Sequence, residues 1–167
     1  HYEEDVKRIL TAVRKWAEEA GKTIPVVMAC GIYERQDAQP WLDLGVDGVQ
    51  MATRFVTTWE CDAAQAYKDA YLNAEKEDIV LVKSPVGMPG RAIRNAFLEK
   101  AEKGKIPHCP CHGCIKTCNP ADTPYCITEA LVNAVKGDVD NGLIFCGSNA
   151  WRARKMEHVK DIMAEFA

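Results

Sequence analysis

Ile24-Pro25-Val26-Val27-Met28-Ala29-Cys30-Gly31-Ile32 and Gly48-Val49-Gln50-Met51-Ala52-Thr53-Arg54-Phe55 are the two stretches that decide the fold of this chain. Each is a short apolar run that ends at small residues just before a helix. An amphipathic helix ending at Gly21 precedes them, and a helix-length segment ending at Gly45 separates them. This order forms the repeating unit of a parallel α/β fold. We therefore predict strands at 24–29 and 47–52, with a helix at 37–44 whose first turn contains Pro40.

The ends of both predicted strands have features of a phosphate site. Small residues let a ligand approach the backbone closely, and loops after late strands of a parallel barrel commonly hold a phosphate. Backbone N–H groups of both loops and the Thr53 hydroxyl are suitable donors for such an anion. Ordinary packing at strand ends is the alternative interpretation of the same residues.

Length and charge restrict the possible functions. A chain of 167 residues can bury one good core but is short of the ~250 residues typical of a closed (β/α)₈ barrel. A net charge of −3 and a pI near 5.8 argue against a nucleic-acid partner. No apolar run approaches the ~18–20 residues of a membrane span, so no membrane partner is expected. We expect a cytoplasmic protein.

Several segments, in order along nearly the whole chain, resemble the nitronate monooxygenase (2-nitropropane dioxygenase-like) family. That family is itself similar to the flavin-dependent enoyl-acyl-carrier-protein reductases. Besides the two stretches above, the resemblance includes Thr58-Trp59-Glu60-Cys61, Tyr67-Lys68, Gly90-Arg91-Ala92-Ile93-Arg94-Asn95-Ala96-Phe97 and Phe145-Cys146-Gly147-Ser148-Asn149-Ala150.

The resemblance implies an α/β fold, namely the C-terminal part of an FMN-binding TIM (β/α)₈ barrel with a small, mostly helical second domain. The implied division is 1–58 for the barrel part, 59–145 for a substrate-covering domain with a Cys-rich loop at 105–126, and 146–167 for a final helix returning to the barrel. The family's N-terminal half, with a Gly-Gly-His motif that holds the catalytic base, has no counterpart here. We therefore expect a missing N-terminal barrel half as partner, and the catalytic residue stays unknown.

The resemblance also implies FMN as cofactor. FMN needs a phosphate cradle, a flat apolar slot and donors near the ring, and Gln50 would contact the ring or the ribityl chain. The family usually has Gly-Gly where this chain has Cys30-Gly31, and Gly where it has Ala52, but backbone donors survive both changes. The candidate cofactor-binding residues are Cys30, Gly31, Gln50, Met51, Ala52 and Thr53.

The implied activity is flavin-dependent oxidation of nitronates or nitroalkanes as small-molecule substrates. Two alternatives stay open. One is an NAD(P)H-dependent flavin reductase of enoyl thioesters, with or without an iron–sulfur cluster. The other is a partial-barrel binding module without catalysis.

The second half of the chain is predicted from periodicity and turn residues. Helices are expected at 62–74, 91–103, 125–136 and 151–166, with a strand at 79–83 and a Pro/Gly loop at 84–90. Arg91 and Arg94 either hold an acidic substrate group or solvate a helix start. The turn at Gly147-Ser148-Asn149 opens the last helix and, by the resemblance, returns toward the flavin.

Eight cysteines are many for this length, and their clustering suggests metal or redox chemistry more than disulfides. Iron–sulfur clusters take four thiolates and structural zinc takes four Cys or His ligands. Reduced thiols in a loop are the alternative. The candidate metal ligands are Cys111, Cys114, Cys118 and Cys126, with Cys109, His108 and His112 as spares.

Overall fold

The protein is represented by a computed structural model, which describes residues 2–107, 111, 113–116 and 118–167. Helix α1 (Tyr2–Ala20) leads to strand β1 (Val27–Ala29), helix α2 (Arg35–Leu44) and strand β2 (Gly48–Gln50). Strands β1 and β2 pair in parallel, with Val27 opposite Gly48. The predicted strand–helix–strand unit is confirmed, although both strands are shorter than the apolar runs.

Helix α2 begins two residues earlier than predicted, and the position given to Pro40 is wrong. The Asp37 carboxylate accepts hydrogen bonds of 2.9 Å from the backbone N–H groups of Tyr33 and Glu34. This capping box starts the helix at Arg35 because it satisfies N–H groups that have no acceptor inside the helix. Pro40 therefore lies in the helix interior rather than in its first turn.

After β2 the chain forms helix α3 (Thr53–Val56), helix α4 (Gln65–Leu72), a 3₁₀ turn (Lys76–Asp78) and strand β3 (Ile79–Lys83). Strand β4 (Pro89–Ile93) follows and pairs antiparallel with β3. Helix α5 (Ala96–Lys103), helix α6 (Ile127–Val135), a 3₁₀ turn (Ala150–Arg152) and helix α7 (Val159–Ala164) complete the order. None of the helices in the described part of the chain is long and apolar enough to span a membrane.

The helix predicted at 91–103 is wrong in its first part. Pro89–Ile93 is a strand whose residue Ala92 is fully buried, and pairing with β3 outweighs any local helical preference. The helix begins only after Asn95, whose side chain accepts a hydrogen bond from the Leu98 N–H at 3.1 Å. Asn95 is a typical N-cap residue and was the sequence signal for the correct boundary.

The long final helix predicted at 151–166 is also wrong. Between the 3₁₀ turn and α7 the chain forms a parallel bridge from Glu157 to Thr58. The Trp59 N–H donates to the Glu157 carbonyl and the Glu157 N–H donates to the Thr57 carbonyl, each at 3.0 Å. Tertiary hydrogen bonds thus replace the helical ones in this segment.

Three apolar clusters form the core of the part of the chain that the structure describes. The first lies around α1, β1 and α2, the second around α4 and the 3₁₀ turn at 150–152, and the third around β4, α5 and α6.

The α/β class is confirmed. The division at 58 and 145 and the assignment to a barrel and a second domain stay predictions. The largest fully buried side chains are Tyr71, Leu143, Ile144, Ile162, Thr57 and Thr58.

Candidate functional site

Three loops meet around a cavity of about 260 Å³. The loop after β1 contributes 29–33, the loop after β2 contributes 50–53, and the turn at 147–149 closes the third side. The first two loops meet because parallel strands end at the same edge of their sheet. All six predicted cofactor-binding residues line this one cavity: Cys30, Gly31, Gln50, Met51, Ala52 and Thr53.

The loop after β1 has an unusual backbone. Cys30 has a φ of 80° and Gly31 a φ of 73°, and Cys30 is the one non-glycine residue with positive φ among those the structure describes. A β-carbon in this conformation costs about 1–2 kcal/mol relative to glycine. Ala52, the other position where the family usually has glycine, has a φ of −136° and carries no such strain. The departure at Cys30 therefore has an energetic cost, whereas the departure at Ala52 does not.

The turn at 147–149 connects the other two loops by hydrogen bonds. The Gly147 N–H donates to the Thr53 hydroxyl oxygen at 2.9 Å, and the Asn149 side-chain amide donates to the Gly31 carbonyl at 2.8 Å. Any β-carbon at residue 147 would lie 2.7 Å from that hydroxyl oxygen, so glycine is required by the close approach. Because Thr53 accepts this bond, its own hydroxyl proton remains available to a ligand.

The side chain of Arg54 anchors the loop after β2. It is only 6% exposed, and its guanidinium donates to Glu157 at 2.9 and 3.0 Å and to Glu165 at 2.6 and 2.7 Å. It also donates to the Tyr33 carbonyl at 3.2 Å. One buried cation therefore connects both strand-end loops to the C-terminal segment. Two bidentate pairs satisfy most of the donors of the guanidinium, as burial of an arginine requires.

A second cation, Arg152, also lies over the Tyr33 ring. The guanidinium of Arg152 is 4.9 Å from the ring centroid and that of Arg54 is 5.4 Å from it. Arg152 also donates to Asp37 at 2.7 Å and to Glu34. The cation–π contact of Arg152 with the Tyr33 ring and its pairs with Asp37 and Glu34 attach the loop after β1 and the start of α2 to the 3₁₀ turn at 150–152.

The ionisation of these groups follows from their contacts. Burial raises the pKa of Tyr33 to about 12, and the Glu157 charge acts in the same direction. Although burial alone would raise the pKa of Asp37, hydrogen bonds from Glu34, Tyr33 and Arg152 lower it below its usual range. The hydrogen bonds from Arg54 lower the pKa of Glu165. Asp37 and Glu165 therefore stay ionised at neutral pH.

Arg91 and Arg94 do not line this cavity. Both side chains are exposed, and their backbones bond elsewhere, the Arg91 carbonyl to the Cys146 N–H and the Arg94 N–H to the Asp78 carbonyl. The residues that the sequence analysis missed are the charged ones beneath the loops. None of them had a local signal, because the carboxylates that pair with Arg54 lie 103 and 111 residues away in sequence.

The predicted metal ligands are not assembled. No group of three or more His, Cys, Asp and Glu side chains that could hold a metal ion occurs among 2–107, 111, 113–116 and 118–167. The Cys114 sulfur lies 3.2 Å from the Thr128 hydroxyl, and the Cys111 sulfur accepts from the Gly113 N–H at 3.4 Å. His108, Cys109 and His112 lie outside the described residues. Iron–sulfur or zinc binding by Cys111, Cys114, Cys118 and Cys126 stays a prediction.

Comparison with known proteins identifies relatives of this chain. The family model for nitronate monooxygenase matches residues 2–167. A probable nitronate monooxygenase of Staphylococcus aureus (strain Newman) is 36% identical over 90 residues, which are 53% of this chain and 25% of that protein. The chain thus aligns with about a quarter of the length of this curated relative.

Two solved structures are also similar. FabK from Thermotoga maritima is 28% identical, with a TM-score of 0.68 over 86% of this chain and 43% of that chain. Nitroalkane oxidase from Streptomyces ansochromogenes is 25% identical, with a TM-score of 0.60 over 88% of this chain and 40% of that chain. The match therefore extends beyond sequence to the arrangement of the elements.

Cys30→Gly should stabilise the protein, because it removes the β-carbon from a residue with positive φ. We expect a gain of up to about 1 kcal/mol in the free energy of unfolding, since the greater freedom of glycine in the unfolded chain offsets part of the relief. Cys30→Ala is the thiol control, and Ala52→Gly should instead destabilise. Denaturant titration measures all three; stabilisation by Ala as large as that by Gly would attribute the effect to the thiol.

Glu165→Gln should remove part of the acid sensitivity of folding. A carboxylate with a lowered folded-state pKa stabilises the protein above its unfolded pKa, and that contribution is lost as pH falls through the folded pKa. Because the pKa of Glu165 is lowered in the folded protein, the wild type should lose stability as the pH falls below about 4.3, the ordinary pKa of a glutamate, and the variant should lose less. Glu75→Gln, which breaks an exposed pair with Arg154, is the control. If the free energy of unfolding falls in parallel with pH for wild type and Glu165→Gln, Glu165 does not contribute to the acid sensitivity.

Proposed function

The chain belongs to the nitronate monooxygenase family, whose model matches residues 2–167, and we propose that it supplies the phosphate end of the flavin site of an FMN-dependent oxidoreductase. The observation that carries this proposal is the convergence of three loops on one cavity, lined by every residue predicted to bind the cofactor. The chain covers only part of the length of its relatives, so we propose this activity for the whole protein.

The residues at the cavity are suited to a phosphate. Thr53 retains a free hydroxyl proton while its oxygen is held by the Gly147 N–H. The positive φ of Cys30 and Gly31 gives that loop a conformation in which a β-carbon at Gly31 would meet nothing within 4 Å. The space beside this backbone is thus open to a ligand. Backbone N–H groups at the ends of parallel strands are common donors to phosphate.

When bound, the flavin would supply the redox chemistry, accepting electrons from a small substrate with an acidic carbon. The residues of this chain would hold and orient the cofactor. The proton-abstracting base is expected to be a histidine outside this sequence. Gln50, which is exposed at the cavity, is the side chain proposed to contact the ribityl chain or the ring.

We also infer a protein partner, the remainder of a barrel. Strands β1 and β2 form a sheet of only two strands in the described residues, and Val27 in β1 is 55% exposed. Parallel strands are normally buried on both faces. Tyr2, Ile9 and Trp16, spaced seven residues apart along α1, are also more than half exposed. Another βα segment, from the same protein or a separate chain, would cover this surface and the open edge of β1.

A second candidate is NAD(P)H-dependent reduction of enoyl thioesters. It is favoured by the similarity of the family to the flavin-dependent enoyl-acyl-carrier-protein reductases, and the structural matches, with TM-scores of 0.68 and 0.60, do not separate the two candidates. A cavity that binds the phosphate of FMN serves both reactions equally. The two candidates differ in the electron donor and in the substrate-binding residues.

The full-length protein should purify with FMN and oxidise a nitronate. The flavin is released by heat and identified by chromatography, and oxygen consumption is followed with propyl-1-nitronate and, separately, NADPH oxidation with an enoyl thioester. FMN with nitronate-dependent oxygen uptake supports the first candidate. FMN with NADPH oxidation alone supports the second, and FAD or no flavin overturns both.

Thr53→Val should weaken FMN binding by about ten-fold or more. The change removes one hydroxyl bond to a charged phosphate, which contributes roughly 1.5–3 kcal/mol. Thr53→Ser keeps the hydroxyl and is the matched control. Fluorescence titration of the apoprotein measures the affinity for FMN. An unchanged affinity in Thr53→Val would show that the phosphate does not bind at this loop.

A further inference from the structure

Tyr71 is a buried phenol that contacts the chain at Phe145, just before the turn at 147–149. It is 1% exposed, and its hydroxyl donates to the Phe145 carbonyl at 2.5 Å. The Tyr67 hydroxyl lies 3.2 Å from the Tyr71 hydroxyl. Burial raises the pKa of Tyr71, so its hydroxyl stays protonated and serves as a donor. Neither phenol is among the residues that line the cavity.

The Phe145 carbonyl depends on this donor. The segment around Phe145 pairs antiparallel with β4 through Ala92. In that pairing the Cys146 N–H donates to the Arg91 carbonyl and the Ile93 N–H donates to the Ile144 carbonyl, each at 2.9 Å. Successive peptide groups of a strand point to opposite sides, so the Phe145 carbonyl faces away from β4. A partly buried carbonyl that faces away from its strand partner needs a hydrogen-bond donor, and the Tyr71 hydroxyl supplies it.

Two residues after Phe145, the chain reaches the cavity at Gly147. Gly147 donates to Thr53 and Asn149 donates to Gly31, so the direction in which the chain leaves Phe145 sets both contacts. The contact between Gly147 and Thr53 leaves no room for a side chain, because a β-carbon at residue 147 would lie 2.7 Å from the Thr53 hydroxyl oxygen. A small displacement of Phe145 would therefore move the donor that holds the Thr53 hydroxyl.

We propose that Tyr71 is a positioning residue for the cofactor phosphate, acting through the Phe145 carbonyl on the turn at 147–149. The inference rests on the proposed function, since it requires the phosphate to lie at this cavity. Tyr71 does not touch the ligand. It fixes the turn whose Gly147 N–H orients the Thr53 hydroxyl and whose Asn149 amide holds the Gly31 carbonyl.

The test compares FMN with riboflavin, which lacks the phosphate, in the full-length apoprotein. Tyr71→Phe keeps the ring and removes the hydroxyl. FMN affinity should fall about five- to ten-fold, the loss expected when one phosphate contact is misaligned, while riboflavin affinity should change less than about two-fold. A purely structural role would weaken both ligands alike, and that result would overturn the proposal.

Tyr67→Phe is the matched control. It removes the neighbouring phenol of the pair but leaves the bond from Tyr71 to Phe145, so the ratio of FMN to riboflavin affinity should stay as in the wild type. An equal change of that ratio in both variants would attribute the effect to the phenol pair as a whole, against the proposal.

A double-mutant cycle with Asn149→Ala tests the route through the turn. If Tyr71 acts through 147–149, the losses in FMN affinity should be less than additive, because each change releases the same turn. Strict additivity would overturn the route. Should Tyr71→Phe not fold, Gly147→Ala displaces the turn with Tyr71 intact, and unchanged FMN affinity there would overturn the proposal.

A failure of the proposed function gives a different result. Wild-type apoprotein that binds neither FMN nor riboflavin, or binds both with equal affinity, contradicts a phosphate site at this cavity. Wild type that prefers FMN, together with a Tyr71→Phe variant that prefers it equally, contradicts only the role given to Tyr71.

Discussion

A buried guanidinium must be surrounded by acceptors, because desolvating an unpaired charge costs several kcal/mol. Arg54 meets this requirement with two carboxylates and one backbone carbonyl, which come from distant parts of the chain. Glu157 and Glu165 stand 103 and 111 residues away in sequence. The C-terminal segment is thus fixed beneath the loop that carries Thr53. The extended conformation of the chain at Glu157, which replaces the predicted helix, places that carboxylate against Arg54.

The same constraint acts on the other side of the cavity. The Tyr33 ring contacts the guanidinium groups of both Arg54 and Arg152, so a displacement of the loop after β1 would separate the ring from these two cations. Above this charged layer, the turn at 147–149 joins both loops through neutral hydrogen bonds. The charged layer resists large displacements, while the neutral contacts set the final alignment. A phosphate site needs both, since its donors must already point inward before the ligand arrives.

The local part of this arrangement could be predicted from sequence, and the long-range part could not. An apolar run that ends at Cys30-Gly31 or at Ala52-Thr53 is visible within nine residues, and it located both strand-end loops that line the cavity. Strand β4 and the bridge at Glu157 depend on partners outside their own window, and periodicity assigned helix to both. The Arg54 cluster falls in the same class, because ion pairs between distant residues leave no pattern in a sequence. Asn95 is the exception, a local N-cap signal that would have corrected the start of α5.

The strained backbone at Cys30 connects the loops that line the cavity to the stability of the fold. Residues held at positive φ persist only where the surroundings fix them, and such strain concentrates at ligand sites. Here the surroundings are the Tyr33 and Arg152 contacts on one side and the Asn149 amide on the Gly31 carbonyl on the other. A glycine at this position would remove the strain but would leave the loop freer before binding. With Cys30 in place, the loop holds its N–H groups in position already in the free protein, at a cost in folding free energy. This cost is offset when a ligand binds, because binding then requires no further ordering of the loop.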